Sequence, residues 1–284
     1  MRCWRFLALL VLLAALAPGL CCALGIFPHL ADERPCIAGN DSYTKLLIHS
    51  NAEDGGKSFT DSSSEGHTLT GANDLQHDTS TSVFWDTSIY FDGTNDYLTI
   101  ADSADWDFSS GDFTIDFWIC WDASYAARNY VSLFAPATPT SDNHFEVYFG
   151  RWDGDARITV GWRKAATCQL LDGAADANLN TSYSMDSGTW YHIEICRSGD
   201  DFHIFLDGEL HDTCTSKNAS EAIGMGHNAV TMGSDTVSLW DSVTGGALGE
   251  ADFMGWIEEF RVSKGIARHT ENFTPPDRAY CDDH

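Results

Sequence analysis

Basic residues are scarce in this 284-residue chain. It has 16 Lys and Arg against 42 Asp and Glu, which gives a formal net charge of −26 at neutral pH. A field of this sign repels nucleic acids and anionic membranes, and the sequence contains no basic stripe that would offset it. The composition therefore excludes nucleic acid as a partner, and it favours solubility and the binding of cations.

Long hydrophobic runs are also lacking. The only marked run, residues 6–16, follows Arg2 and Arg5 and is broken by Pro18 and Gly19. A membrane span takes about 20 apolar residues, so this run is too short and we predict no span. A basic start, a short apolar run and small residues at 21–23 are typical of a secretory signal peptide. We therefore predict a signal peptide over residues 1–23, an N-terminal arm over 24–42 and one domain over 43–284, secreted or at the cell surface.

The cysteines do not follow a metal-binding pattern. Three of the nine fall within residues 1–23, and the other six include no Cys-x-x-Cys pair. An even number in a secreted chain favours disulfides, of which six cysteines allow fifteen arrangements. Positions along the predicted topology favour the pairs Cys36–Cys281, Cys120–Cys196 and Cys168–Cys214. Four Asn-x-Ser/Thr sequons predict glycosylated surface positions in a eukaryotic secretory pathway: Asn40, Asn180, Asn218 and Asn272.

Helical periodicity is nearly absent, and short strands are frequent. Residues 192–197, 202–206 and 209–215 predict a three-stranded meander, with a turn at 198–201 and an Asp207-Gly208 turn that needs two positive φ angles. Residues 113–119 alternate, with Phe113 and Ile115 on one face and Asp116 and Trp118 on the other. Strands at this spacing predict an all-β sandwich of two antiparallel sheets, and residues 51–82 are expected to be mostly loop.

One strand near the C-terminus is predicted to contain an irregularity. Ile257, Phe260 and Val262 are spaced by three and then two residues, so they cannot all face inward in a regular strand. A β-bulge at Glu258-Glu259 restores the alternation.

Five segments in this order resemble the concanavalin A-like lectin/glucanase superfamily, in its laminin-G-like, pentraxin-related branch. The segments begin at Tyr90 (YFDGTNDYLTI), Asp112 (DFTIDFWI), Trp190 (WYHI), Phe205 (FLDG) and Trp256 (WIEEFRVS). The resemblance covers about residues 43–276. It implies a jelly-roll sandwich and a lectin-like module that binds an extracellular glycan or a glycoprotein.

The resemblance also implies candidate binding residues. Pentraxin-type members hold calcium with an Asp-Asn pair before a strand and with acids from a later loop. Asp142 and Asn143 resemble the pair, and Asp235 resembles one of the later acids. The Glu-Gln-Asp triplet of pentraxins is absent from this sequence. Calcium is therefore the expected cofactor, and turn chemistry is the alternative role of these acids. Trp152, Trp162 and Trp240 are the candidates for stacking on sugars, and burial in the core is the alternative for each of them.

The sequence lacks the residues of an enzyme. It contains no Gly-x-Ser-x-Gly, His-Glu-x-x-His or phosphate-binding loop. Hydrolases of the same superfamily carry Glu-x-Asp-x-x-Glu on one strand, whereas Glu258 and Glu259 are adjacent and point to opposite faces of a regular strand. We therefore predict a non-catalytic module. The alternatives are a structural subunit of an extracellular coat, filament or appendage, self-associating through sheet edges, and, third, a glycoside hydrolase.

Overall fold

A computed structural model describes the chain in ten segments, which leave out residues 1–35 and several loops. The described residues are 36–125, 129–137, 144–152, 155–164, 167–170, 179–180, 184–215, 223–224, 229–233 and 252–282. Ile37–His284 form one compact unit. Because residues 1–35 are left out, the predicted signal peptide lies outside the described residues.

The described residues form eighteen β-strands, which belong to two sheets. The strands are β1 Thr44–Ile48, β2 Leu69–Ala72, β3 Gln76–Asp78, β4 Ser88–Asp92, β5 Tyr97–Ile100, β6 Asp107–Ser109, β7 Phe113–Trp121, β8 Asn129–Pro136, β9 His144–Trp152, β10 Asp155–Lys164, β11 Thr167–Leu170, β12 Leu179–Asn180, β13 Tyr191–Ser198, β14 Asp201–Leu206, β15 Glu209–Thr215, β16 Ile223–Gly224, β17 Val230–Met232 and β18 Met254–Lys264. One short 3-10 turn, Ala104–Trp106, precedes β6.

The two sheets have different strand orders. Sheet 1 has the order β15-β14-β13-β7-β18-β4-β3, with β1 also paired to β18, and sheet 2 has the order β11-β10-β9-β8-β17-β5-β2 with β6, β12 and β16 attached. Strand pairing is antiparallel except for one short parallel contact between β9 and β16. The prediction of a two-sheet antiparallel jelly-roll sandwich is confirmed.

Aromatic and branched residues fill the space between the sheets. The inward side chains of β7, among them Phe113, Ile115 and Phe117, are fully buried. Phe113 packs edge-on against Phe145 of β9 with ring centroids 5.3 Å apart, which links the two sheets. Burial of each such side chain contributes about 1.5–3 kcal/mol, so this layer supplies much of the driving force for folding.

The predicted meander is confirmed as β13, β14 and β15. Its second turn has φ of 50° at Asp207 and 77° at Gly208, as a turn with two left-handed residues requires. The predicted bulge on β18 is also confirmed, because the pairing with β7 shifts register between Glu258 and Arg261 and Glu259 has φ of 53°. Both irregular positions could therefore be predicted from the local sequence.

Two strands lie in the segment that was predicted to be mostly loop. β2 and β3 form edges of sheet 2 and sheet 1, respectively. Their sequences, LTGA and QHD, are short and contain one large apolar residue, Leu69, while the buried residue of β3 is the polar His77. An edge strand needs only one neighbour and tolerates polar residues on its open side, so hydrophobic pattern does not reveal it. Within the part of the chain that the structure describes, no helix is long and apolar enough to cross a membrane.

Candidate functional site

Most of the predicted binding residues lie outside the described residues. This holds for Asp142, Asn143, Asp235 and Trp240. The loop with Asp142 and Asn143 follows Ala137, whose amide donates to the carbonyl of Ala229 just before β17. The loop with Asp235 and Trp240 follows Gly233, just after β17, whose amide donates to the carbonyl of Ser132. Among the described residues, no group of three His, Cys, Asp or Glu side chains is arranged to hold a metal ion. The calcium site stays a prediction.

The backbone separates two of the predicted stacking tryptophans. Trp152 pairs with Asp155 at the turn of the β9-β10 hairpin, whereas Trp162 pairs with Phe145 at its other end. The two positions are about 23 Å apart along the strands, so they cannot contact the same sugar residue. Their side chains are outside the described atoms, and each stays a separate candidate.

One predicted disulfide agrees with the structure and one does not. Cys36 and Cys281 are disulfide-bonded, and the adjacent Ile37 and Tyr280 form a parallel bridge. The predicted Cys120–Cys196 pair is wrong, because both carry buried free thiols. Cys196 is paired with Thr114, about 20 Å along β7 from Cys120, whereas a disulfide needs Cα atoms within about 7 Å.

The third predicted disulfide stays a prediction, and one sequon needs correction. The side chain of Cys168 lies outside the described residues, so the structure does not test the pair Cys168–Cys214. Asn40 was predicted to be a surface acceptor, but only 4 % of it is exposed and its amide donates to the carbonyl of Ser62 at 2.8 Å. Asn272 is exposed, as a sequon asparagine must be for glycosylation. Asn218 and the side chain of Asn180 lie outside the described part.

The described candidate site lies on the face of sheet 1 that points away from the core. In the register of three neighbouring strands, Glu194 of β13 pairs with Asp116 of β7, and Asp116 pairs with Arg261 of β18. Cross-strand partners project to the same face, so the three charged side chains form a row with His192 beside it. We call Asp116, His192, Glu194 and Arg261 the outer-face cluster.

The outer-face cluster is buried because the end of the chain covers it. Residues 265–282, the C-terminal cover, run over this face after β18. Thr114 of β7 donates its hydroxyl to the carbonyl of Ile266 at 3.0 Å and accepts from the amide of Arg268 at 2.9 Å. Farther along, the amide of Phe273 donates to the carbonyl of Gly208 at 2.9 Å. These backbone contacts fix the cover over the sheet.

Asp116 has strong partners on both carboxylate oxygens. It accepts from Nε of Arg261 at 2.8 Å and from the hydroxyl of Tyr280 at 2.9 Å. The guanidinium also donates to the carbonyl of Gly39 at 2.8 Å and lies 3.9 Å from the centre of the Tyr280 ring. Although burial opposes the charge, Asp116 raises the pKa of Arg261 above its usual range, so the guanidinium stays protonated.

His192 and Glu194 are the cluster members with unused hydrogen-bonding atoms. His192 is 1 % exposed and neither ring nitrogen makes a hydrogen bond with the described residues; the nearest carboxylate oxygen, Oδ1 of Asp116, is 3.9 Å from Nε2. Glu194 accepts from Nδ1 of His269 at 2.8 Å through one oxygen, while its Oε1 has no such partner. Burial lowers the pKa of His192 to about 4, and burial raises the pKa of Glu194 above its usual value.

A cavity of about 300 Å³ lies between the outer-face cluster and the C-terminal cover. We call it the outer-face pocket. His192, Glu194 and Arg261 form its floor, and the cover contributes His269 and Phe273, whose rings are stacked at 3.7 Å. Its size is at the lower end of small-molecule sites, which span about 300–1,000 Å³.

Glu258 and Glu259, the adjacent acids on the bulge, serve the surrounding loops. Glu258 accepts the backbone amides of Val83, Phe84 and Trp85 at 2.6–3.0 Å. Glu259 accepts from the Trp85 indole at 2.6 Å, contacts Nδ1 of His49 at 2.6 Å, and accepts from the backbone of Tyr280 at 2.9 Å. Both carboxylates are therefore engaged in structural contacts and do not form the acid pair of a hydrolase.

The comparisons with known proteins place the chain in a family. The model of laminin G-like domains described as the concanavalin A-like lectin/glucanases superfamily matches residues 92–269. The chain therefore belongs to that superfamily. No curated protein sequence matches it.

Several solved structures share the fold. The ligand binding domain of botulinum neurotoxin serotype D, in complex with N-acetylneuraminic acid, matches with a TM-score of 0.56 and 12 % identity over 79 % of this chain and 48 % of that chain. The binding domain of Paraclostridial Mosquitocidal Protein 1 matches with a TM-score of 0.53 and 12 % identity over 79 % of this chain and 50 % of that chain. The chain thus spans about half the length of these structures, and at this identity the likeness shows the fold alone.

Proposed function

We propose that this chain is a secreted, non-catalytic lectin-like module that binds an extracellular glycan or glycoprotein. The observation that carries the proposal is its membership of the concanavalin A-like lectin/glucanases superfamily over residues 92–269. Solved structures with a similar fold include one in complex with N-acetylneuraminic acid and one of botulinum neurotoxin type C, whose cell entry depends on interaction with two ganglioside molecules. These neighbours support a carbohydrate as the ligand class.

The contacts of the two adjacent glutamates support the non-catalytic part of the proposal. A retaining hydrolase needs two carboxyl groups about 5–5.5 Å apart that face a groove open to substrate. Glu258 and Glu259 are buried, and their oxygens already accept hydrogen bonds from loop amides and from an indole. Bringing either residue to a substrate would break several of these bonds.

The proposal includes a calcium ion held by Asp142, Asn143 and Asp235. Calorimetry on chelator-stripped protein tests this part, with Asp142→Ala as the site variant and Asp277→Ala, an exposed acid on the C-terminal cover, as the matched control. Calcium heat that is lost only in the site variant supports the ion. Absence of heat in the wild type removes calcium from the proposal and leaves glycan binding to be tested separately.

A glycan array probed with the secreted protein tests the main proposal. Because Trp152 and Trp162 cannot share a sugar, the variants Trp152→Ala and Trp162→Ala should affect binding separately, and one of them is expected to retain it. The absence of binding to any glycan on a broad array would contradict the proposed lectin function. Sedimentation velocity on the same sample distinguishes the alternative of a structural subunit, which requires association that grows with concentration.

A further inference from the structure

The outer-face pocket is distinct from the loops that carry the predicted calcium and stacking residues. The pocket lies on the outward face of sheet 1, whereas Trp152 and Trp162 lie in β9 and β10 of sheet 2 and the loops with the predicted calcium residues follow β8 and β17 of that sheet. The ring of His269 is 37 % exposed and Thr274 is also exposed, so the pocket has an opening at the C-terminal cover.

The floor of the pocket presents hydrogen-bonding atoms that the described residues leave unused. These are Oε1 of Glu194 and both ring nitrogens of His192. A buried polar atom without a hydrogen bond is unfavourable, so three such atoms beside a cavity favour a ligand that supplies the missing hydrogen bonds. A neutral imidazole offers one donor and one acceptor, and the glutamate oxygen offers an acceptor. Adjacent hydroxyl groups, each able to donate and accept, match this set.

The charges around the pocket favour a ligand without net charge. Arg261 is neutralised by Asp116 at 2.8 Å, and Arg268 is neutralised by Asp41 at 3.0 Å. An anion would meet the carboxyl group of Glu194, and a cation would meet the two guanidinium groups. Neither an anion nor a cation would meet an unpaired opposite charge, and either ligand would still lose its hydration on entry.

The walls of the pocket add apolar surface to this polar floor. Phe273, Ile266 and Pro276 belong to the cover, and Ile37 lies on the other side. An aromatic wall beside convergent hydrogen-bonding groups suits a sugar ring, whose C–H face is apolar and whose edge carries hydroxyls.

We propose that the outer-face pocket binds a single neutral sugar unit of hexose size, with Glu194 and His192 as its hydrogen-bond partners and Phe273 as its apolar wall. The inference rests on the proposed carbohydrate-binding function but assigns it a second site, on the opposite sheet from the predicted rim loops. The ligand is expected to enter at His269 and Thr274, and His269 positions the Glu194 carboxyl group by donating to its other oxygen.

The test uses the full secreted protein with ¹⁵N-labelled histidine and a panel of methyl glycosides of glucose, galactose, mannose and N-acetylglucosamine. Titration to about 50 mM covers the millimolar affinities expected of one small site. At least one glycoside should shift the ring nitrogen signals of His192 and His269, and calorimetry gives its affinity. A crystal soaked in the same glycoside should show the sugar between Glu194 and Phe273.

The variants separate this pocket from the rim. His192→Phe keeps an aromatic ring between Trp118 and Phe273 but removes both nitrogens, and Glu194→Gln keeps the side-chain shape; each should weaken binding by about tenfold or more. Lys57→Met changes an exposed residue that does not line the pocket; it is the control and should leave the affinity unchanged. Urea unfolding of each variant confirms that it is folded.

Three results would overturn the pocket proposal. The first is the absence of a histidine shift with every glycoside, and the second is a soaked crystal with only water between Glu194 and His192. The third is binding that Trp162→Ala abolishes and His192→Phe does not change, which would leave the proposed lectin function intact at the rim. A protein that is silent on the glycan array but binds a monosaccharide in the pocket would instead support this site and contradict glycan binding by the loops.

Discussion

Arg261 of β18 and Asp116 of β7 form a buried ion pair with Nε and Oδ2 2.8 Å apart, on the sheet face that points away from the core. Two further hydrogen bonds hold the pair in place, because the guanidinium also donates to the carbonyl of Gly39 and the carboxylate also accepts from Tyr280. It therefore links the middle of sheet 1 to both the residues before β1 and the C-terminal cover.

Removal of one member of this pair should be costly. Arg261→Met leaves the Asp116 charge buried without its cation, and we expect a loss of about 3–5 kcal/mol in the free energy of unfolding, measured by urea denaturation. The matched control is Lys57→Met, which breaks the exposed pair with Asp74 at 2.9 Å and should cost less than about 1 kcal/mol. Equal effects of the two substitutions would contradict the structural role of the buried pair.

Glu258 should make the protein less stable as pH rises toward neutrality. Burial raises its pKa to about 7 from 4.5, so between these values the unfolded chain releases a proton that the folded protein keeps. The stabilisation that Glu258 contributes through this difference in pKa is full below pH 4.5 and is lost as pH rises to 7. The stability of Glu258→Gln relative to wild type should therefore rise by up to about 3 kcal/mol across this interval. Urea unfolding at several pH values checks this, with the exposed Glu271→Gln expected to show no such trend.

His192 should make the protein less stable as pH falls, over nearly the same pH interval. Its pKa is lowered by burial to about 4, so below pH 6.5 the unfolded chain takes up a proton that the folded protein excludes. Stability from this group is present above pH 6.5 and is lost as pH falls to 4. His192→Phe should gain up to about 3 kcal/mol relative to wild type at pH 4, while the two stability curves run parallel above pH 6.5. A constant difference at all pH values would show that folding does not lower the pKa of His192.

The thiol state of the cysteines is open to direct measurement. Alkylation under denaturing, non-reducing conditions should label Cys120 and Cys196 and should leave Cys36 and Cys281 unlabelled. In the folded protein at pH 8 Cys120 should stay unlabelled, because burial raises its pKa to about 11 and shields it from reagent. Mass spectrometry of the peptides identifies each site, and protection of Cys120 in the denatured chain would contradict the structure.

The turn at Gly208 is expected to support the C-terminal cover. Gly208 has φ of 77°, and a Cβ there would overlap the carbonyl oxygen of Phe273. Gly199 has a similar φ of 59° but open space around it, so it is the matched control. Gly199→Ala should cost about 1–2 kcal/mol for the left-handed backbone alone, and Gly208→Ala should cost at least about 2 kcal/mol more, as measured by urea unfolding. Equal costs would show that the cover does not rest on this turn.

Local signals in the sequence were sufficient for the architecture and for its irregular points. The Asp207-Gly208 turn and the bulge at Glu258-Glu259 are decided within a few residues, by φ preference and by the spacing of apolar side chains. The alternation in residues 113–119 identifies the inward face of β7, since its period depends only on strand geometry. The edge strands β2 and β3 escaped prediction because they are only four and three residues long, and the buried side chain of β3 is the polar His77.

The outer-face cluster could be noticed in the sequence only in part. Asp116, His192 and Glu194 are polar residues at alternate positions of strong strands, which the pattern assigns to solvent. Their burial depends on residues 265–282 folding back over the sheet, and nothing in the strand sequences encodes that cover. The prediction of the Cys120–Cys196 pair was wrong for the same reason, because a pairing depends on which strands become neighbours and in which register.

The sequence by itself therefore determined the all-β class, the two-sheet arrangement and the inward residues, because period-two alternation and turn chemistry act over a few neighbouring positions. Only the tertiary structure decided that Asp116 meets Arg261, that Glu258 and Glu259 are used in loop contacts, and that a pocket forms above His192 and Glu194. These contacts join residues that are far apart in the chain, and their energies depend on burial, which exists only once the sheets and the cover have assembled.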